Sequence, residues 1–239
     1  MPAIPANTKL LLHCDGTDAS TTFTDDSGTS KSVTAVGNAQ IDTAQYKFAT
    51  GSGLFDGTGD YLSTADSADF NLGSGDFTLS VWLRFNAKPA GDGHMDIFAQ
   101  GNPAVTGFRF YFYTADGTSL EWNMTANGGT GNIQLSKACN TISLNTWYHF
   151  EVDRSGNNFY SFQDGVQIGT TVTDSDTMPD ATTTAYIGCY YNTTERFFNG
   201  WMDELILVKG TALHTSNFTP ETLPYGTLSS TNTGRFYFM

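Results

Sequence analysis

Phe77-Thr78-Leu79-Ser80-Val81-Trp82-Leu83-Arg84-Phe85 is the stretch that decides the fold. Along an extended chain, Phe77, Leu79, Val81, Leu83 and Phe85 share one side, and Thr78, Ser80, Trp82 and Arg84 share the other. Side chains alternate faces in a strand, so this segment is a β-strand with one face packed on a second sheet. The same pattern returns where Phe108, Phe110 and Phe112 interleave with Arg109, Tyr111 and Tyr113. It returns again where Tyr148, Phe150 and Val152 interleave with Trp147, His149, Glu151 and Asp153. Tyr160 and Phe162 lead into Asp164-Gly165, then Val166 and Ile168. Asp-Gly between two apolar alternations predicts a hairpin, because glycine accepts a positive φ. From Trp201 to Val208 the pattern ends in Leu205-Ile206-Leu207-Val208, which is apolar on both sides and predicts a central strand covered on both faces.

No long segment has helical periodicity, and only Ser63 to Leu72 reads as holding one short helical turn. Asp15-Gly16, Ser27-Gly28, Asp56-Gly57, Ser74-Gly75, Asp116-Gly117 and Gly128-Gly129 are turn signals. Asp-Gly-Thr recurs at 15, 56 and 116 with uneven spacing, so it is turn chemistry and not a repeat. Many short strands between such turns define an all-β, two-sheet antiparallel sandwich. At 239 residues the chain is long enough to bury a core as one domain, without a disulfide or metal. That domain spans 1–239, with a short N-terminal segment at 1–7 and an irregular tail at 213–239. Pro220 and Pro224 block sheet pairing in the tail. The apolar Phe236-Tyr237-Phe238-Met239 reads as a last strand or as an anchor on a partner.

The net charge of −13 opposes nucleic acid binding, which needs a basic surface to displace counterions. It also disfavours anionic membranes, while leaving oxygen ligands for calcium. Cys14, Cys139 and Cys189 are odd in number and show no C-x-x-C pair, so they read as buried apolar residues. A Cys139–Cys189 disulfide is the alternative. The Met1-Pro2-Ala3-Ile4-Pro5 start has no basic run and no apolar stretch of signal-peptide length. Leu10-Leu11-Leu12 is far short of a membrane span. The expectation is a soluble protein without membrane insertion, reaching the outside by lysis or within a larger particle. The sequons at Asn123, Asn192 and Asn217 carry weight only in a secreted chain.

Several segments resemble one known group. Leu10 to Thr17, followed by Asp25-Asp26-Ser27-Gly28, is similar to the opening of concanavalin A-like, laminin-G-like jelly rolls. Leu54-Phe55-Asp56-Gly57-Thr58-Gly59-Asp60-Tyr61-Leu62 resembles that group's F-D-G-x-x-D-Y segment, and Phe70 to Leu79 its approach to a core strand. Asn145-Thr146-Trp147-Tyr148-His149, Gly200-Trp201-Met202-Asp203-Glu204-Leu205 and Phe218-Thr219-Pro220 also match its pattern. The resemblance spans roughly 8–225 and implies a jelly-roll sandwich. Such domains occur as lectins, adhesion modules, modules fused to glycosidases, and parts of bacteriophage tails and virions. The late Asp-Glu-Leu strand and the Phe-Thr-Pro tail are similar to those of phage-encoded proteins. The resemblance therefore implies a virion setting, with other virion proteins and copies of the same chain as partners. It also implies one structural calcium ion, held by Asp26 (or Asp25 or Asp15) and Asp203. A strand carboxylate bonded to backbone amides is the other reading of Asp203.

Among candidate chemistries, Glu151 and Asp153 share a face, as do the carboxylates of glucanases on this fold. Those enzymes need a further carboxylate on the strand as acid/base partner. Arg154, Ser155, Gly156 and Asn157 follow here instead, so catalysis is not expected. Sugar binding needs aromatic faces with polar neighbours. Trp122 and Asn123 form one such group, and Tyr190, Tyr191, Asn192 and Arg196 form another. Core or rim packing is the competing reading of both. His13, His94, His149 and His214 show no metal-ligand spacing. The expected function is a non-catalytic structural or adhesion component of a virion tail, fibre or capsid surface. A lectin module for cell-surface glycans is the alternative, and a glycoside hydrolase the third reading.

Overall fold

A computed structural model of the chain describes residues 1–89, 93–117, 119–129 and 131–226. Phe236 to Met239, read above as a strand or an anchor, lies outside the described residues. The strands, numbered along the chain, form two antiparallel sheets. The first runs from β14 (Val166–Gln167) through β13 (Asn158–Gln163), β12 (Trp147–Ser155) and β7 (Phe77–Phe85). It continues through β17 (Asn199–Lys209) and β5 (Ser52–Asp56) to β4 (Gln40–Asp42). β1 (Thr8–Leu12) pairs with the second half of β17, and β15 (Val172–Thr173) with β13. The second sheet begins with β11 (Asn132–Ala138), β10 (Glu121–Asn127), β9 (Thr106–Tyr113) and β8 (His94–Asn102). It ends with β16 (Ala185–Ile187), β6 (Tyr61–Thr64), β3 (Val33–Val36) and β2 (Thr22–Phe23). Sequential neighbours pair in places, but β7 lies between β12 and β17, far apart in sequence. The predicted helical segment contributes a single 3-10 turn at Ala68–Phe70, capped by the Ser67 hydroxyl, which accepts from the Asp69 N–H.

β7 alternates as its sequence predicts. Phe77, Leu79, Val81, Leu83 and Phe85 are wholly buried between the sheets. There Phe85 meets Phe112 with ring centroids 5.0 Å apart, and Phe112 meets Phe150 at 4.8 Å. Each such pair adds about 0.5–1.5 kcal/mol beyond the area it buries.

The other face of β7 is buried as well, which alternation alone does not foresee. Thr78 and Ser80 are enclosed, as are Glu151 and Asp153 opposite them on β12. The cover is a third layer of irregular chain. Lys47 and Phe48 lie over Trp82, and Ile4, Leu213 and Tyr225 pack on Leu11, Ile206 and Val208. The run Leu205 to Val208 is therefore the doubly covered central strand that it predicts. Between Asp203 and Ile206, β17 carries one more residue than β7 opposite, a bulge in which Glu204 takes a φ of 50°. The cysteines are all free, with Cys14 and Cys189 buried and Cys139 half-buried, so the alternative disulfide is not formed. The path closes on itself, since the Gly226 N–H donates to the Pro2 carbonyl at 2.7 Å.

The Asp164-Gly165 hairpin forms with φ of 50° and 75°, the doubly positive pair that a tight two-residue turn needs. It also anchors the tail, because the Phe218 N–H donates to the Gly165 carbonyl at 2.8 Å. A Cβ on Gly165 would fall 2.1 Å from the Phe218 carbonyl oxygen. Gly165→Ala is expected to lower unfolding stability by about 1–3 kcal/mol. Urea denaturation checks this, and an unchanged midpoint would separate the tail contact from the stability of the fold.

Candidate functional site

Two outward faces carry the polar chemistry. On the first sheet, β12 and β7 set Glu151 opposite Ser80 and Asp153 opposite Thr78. Both acids point away from the sandwich, as the sequence implies, and the tail then crosses over them. Asp153 Oδ1 accepts from the Thr78 hydroxyl at 2.5 Å, the Leu213 N–H at 2.9 Å and the His214 N–H at 3.2 Å. His214 Nδ1 lies 2.6 Å from Glu151 Oε1. The His214 ring stacks on Phe218, with centroids 3.5 Å apart and planes 6° apart. Ser80 Oγ and His149 Nε2 are 2.7 Å apart. Nearby, the bulge aims Glu204 so that it pairs with His13 and accepts the Tyr225 N–H at 3.0 Å. A hollow of about 20 Å³ lies among Ser80, His149, Glu151, Glu204 and His214, room for about one water.

Burial sets the protonation here. It pushes Glu151 up to about 7. Asp153 rises well above the usual carboxylate range, from burial first and then from the neighbouring Glu151. Burial drives His149 down to about 3, with His214 and Lys47 acting in the same direction. His214 is lowered by burial too, against the pull of Asp153 and Glu221. One glutamate oxygen, one aspartate oxygen and one imidazole nitrogen converge within 4.8 Å of one another here. Among the described residues, this is the group of three acidic, histidine or cysteine side chains placed to hold a metal ion.

On the second sheet the expected sugar contacts separate. Trp122 is fully buried, 4.8 Å from the Phe112 ring and 5.6 Å from Phe150, so it cannot meet a sugar. The correction follows from register: Trp122, Met124 and Ala126 face Phe112, Phe110 and Phe108 across the β10–β9 pair. Asn123 does point outward, but it is nearly enclosed opposite Tyr111, and its Nδ2 donates to the Glu121 carbonyl at 2.9 Å.

Tyr190, Tyr191, Asn192 and Arg196 do come together, in the turns between β16 and β17. The two tyrosine rings meet edge-on at 4.6 Å, and the Arg196 guanidinium lies 4.0 Å over Tyr190. Asn192 Nδ2 donates to Glu195 Oε1 at 3.1 Å. Arg109 ties this segment to the sheet. It pairs with Asp96 at 3.0 Å and lies over both Tyr111 and Tyr190, at 3.6 and 5.1 Å.

Sequence reasoning missed Tyr186 and Tyr61, which sit on adjacent strands with rings 5.8 Å apart. Ala185-Tyr186-Ile187 has two small or apolar residues flanking Tyr186, a period-two signal that its ring faces outward. Tyr186 and Tyr191 line an open groove of about 480 Å³ with Gly101, Asn102, Val105, Thr106 and Thr183.

Asp203 is on the outer face of the first sheet, opposite Trp82, and Asp26 is in the loop after β2. Asp26 lines an open hollow of about 280 Å³ with His13, Cys14, Asp15 and Thr24. Burial raises its pKa, with Asp25 and Asp15 adding to the rise. Asp203 is buried and accepts the Lys47 and Phe48 N–H groups at 2.8 and 3.0 Å. Burial pushes it up to about 8, and its Oδ1 has no hydrogen-bond partner.

Two twisted antiparallel sheets, with polar aromatic grooves and loops outside a phenylalanine-rich core, define a lectin-like jelly roll. The chain belongs to the concanavalin A-like lectin/glucanases superfamily, whose laminin-G family model matches residues 56–214. Solved structures agree on the fold. The binding domain of botulinum neurotoxin serotype G superposes with a TM-score of 0.63 at 13% identity, over 87% of this chain and 49% of that one. The binding domain of Paraclostridial Mosquitocidal Protein 1 gives 0.61 at 16%, over 87% and 50%. The receptor binding domain of botulinum neurotoxin D gives 0.62 at 14%, over 87% and 50%. The chain thus spans about half the length of these structures. No curated protein matches the sequence. Among the described residues, no helix is long and apolar enough to cross a membrane.

Proposed function

We propose that the chain is a non-catalytic adhesion module that holds a neutral glycan in the groove between Tyr186 and Tyr191. The groove carries the reading. Its volume of about 480 Å³ suits one or two sugar rings, and its walls combine two tyrosines with the amide of Asn102 and the hydroxyls of Thr106 and Thr183. None of the residues lining it is charged, which favours a neutral sugar over an anionic one. Structural neighbours support binding to cell surfaces: uptake of botulinum neurotoxin type C into cells depends on interaction with two ganglioside molecules. The Glu151–Asp153 pair does not favour hydrolysis, because the tail covers it and the strand supplies no further carboxylate. A glycan array followed by calorimetric titration is expected to find a neutral ligand, with Tyr191→Ala costing tenfold or more in affinity, that is, ~1.4 kcal/mol. An empty array, or an affinity indifferent to both Tyr186→Ala and Tyr191→Ala, would refute this site.

The setting proposed for this module is a virion surface, a tail, fibre or capsid component repeated in many copies. This rests on the resemblance of the Asp203-Glu204-Leu205 strand and the Phe218-Thr219-Pro220 segment to phage-encoded proteins. Mass spectrometry of purified particles should detect the chain in multiple copies, and its absence from them would remove the virion reading while leaving the glycan site standing.

A structural calcium ion at the Asp203 end is proposed on one observation, the buried and unpartnered Asp203 Oδ1, with Asp15 close enough to act on its charge and Asp26 beside Asp15 on the adjoining hollow. Millimolar calcium should then raise the melting temperature and EDTA reverse it. A melting curve that neither reagent moves would rule the ion out.

A further inference from the structure

The acidic group beneath the tail keeps a buried oxygen atom that the surrounding chain does not satisfy. Glu151 and Asp153 are both buried, and among the described residues neither pairs with a lysine or arginine. Among the described residues, Glu151 has His214 as its one ion-pair partner and Asp153 has none. Buried carboxylates are paired, protonated or bound to metal. Asp153 directs all three of its donors onto Oδ1, and its Oδ2 is left buried without a partner. His149 Nδ1, buried beside the same hollow, also lacks one.

We propose that Glu151, Asp153 and His214 bind one first-row divalent transition metal ion of the zinc or manganese type, which ties the tail to the first sheet. Three donor atoms already lie within 4.8 Å of one another. Two carboxylate oxygens with one imidazole nitrogen suit zinc or manganese, whereas calcium takes six to eight oxygens. The hollow of about 20 Å³, lined by two of the three, Glu151 and His214, has room for about one water beside them. The supports around the ligands are also in place. Thr78 and two backbone N–H groups fix the Asp153 carboxylate, and the Phe218 ring holds the His214 imidazole flat. His214 Nδ1 and Glu151 Oε1 are now 2.6 Å apart. Two ligands at about 2.0 Å from a tetrahedral ion sit about 3.3 Å apart, so binding widens this pair and draws the Asp153 oxygen, now within 4.8 Å, toward the same spacing. This site is distinct from the sugar groove and from the calcium proposed near Asp203.

The test uses the full chain, stripped with EDTA and dialysed. Zinc titration by calorimetry is expected to give one ion per chain, and cobalt to give the visible absorption of a low-symmetry site. A zinc excess of about 100-fold over its Kd should raise the melting temperature by roughly 5–10 °C. Zinc should also slow protease cleavage within 211–226. His214→Ala, which alters only the overlying segment, and Glu151→Gln, which is nearly isosteric, should each weaken zinc binding 10- to 100-fold or more. Far-ultraviolet circular dichroism would establish that both variants keep the sandwich. Absence of stoichiometric zinc or cobalt binding by the wild-type chain would overturn the proposal. So would His214→Ala binding zinc as tightly as wild type, or calcium binding there in preference to zinc.

Discussion

Phe85 on β7 meets Phe112 on β9 edge-on, and Phe112 meets Phe150 on β12, so rings from both sheets interdigitate in one layer. That interlock fixes the phase of every strand it touches. Because side chains alternate with a period of two, sliding β12 by one residue would drive Glu151 and Asp153 into the ring layer and expel Phe150 and Val152. The buried acids on one face and the tyrosines on the other are placed by this constraint. Neither polar face has to organise itself, since each is the reverse side of a packed aromatic sheet.

The two reverse sides are treated differently. The second sheet leaves Tyr61, Tyr186 and Tyr191 partly open beside a groove. The first sheet is closed by chain drawn from three places: the start near Ile4, the Lys47–Phe48 segment, and the tail through Leu213, Phe218 and Tyr225. Closing it buries Glu151, Asp153, Asp203 and Glu204 together with His149, which is costly in a dry layer. The tail offsets part of that cost with its own N–H groups, given to Asp153 and Glu204. A lectin-like sandwich therefore has one face available to a ligand and one face occupied by its own chain.

The strands of the core were legible in sequence because their signal is local. Phe77 to Phe85 needs no knowledge of its neighbours to be read as one face in and one face out. The doubly covered strand at Leu205 to Val208 was legible for the same reason, and so was the Asp164-Gly165 turn. Trp122 was misread because sequence does not reveal which phase of β10 faces the core, and an aromatic next to asparagine fits either phase. The third layer was invisible, since its segments have no periodicity and their contacts are set by residues up to two hundred positions away, as with His13 and Glu204. The meeting of Glu151, Asp153 and His214 is of this kind: the first two share a strand, and the third arrives from a tail that composition describes only as irregular. Tyr190, Tyr191, Asn192 and Arg196 were found together because they are close in sequence, while Tyr186 and Tyr61 needed the pairing of β16 with β6.

The backbone hydrogen bond from Gly226 to Pro2 has an architectural consequence. A fold whose path returns to its starting point can be spliced into a surface loop of a host protein, entering and leaving at one spot without stretching the host. It can equally be cut at an exposed turn and rejoined across residues 2 and 226 to give a permuted chain with the same sandwich. Tandem copies would be spaced by whatever linker joins them, not by the width of the domain, which sets the Tyr186–Tyr191 grooves of successive copies close together on one surface.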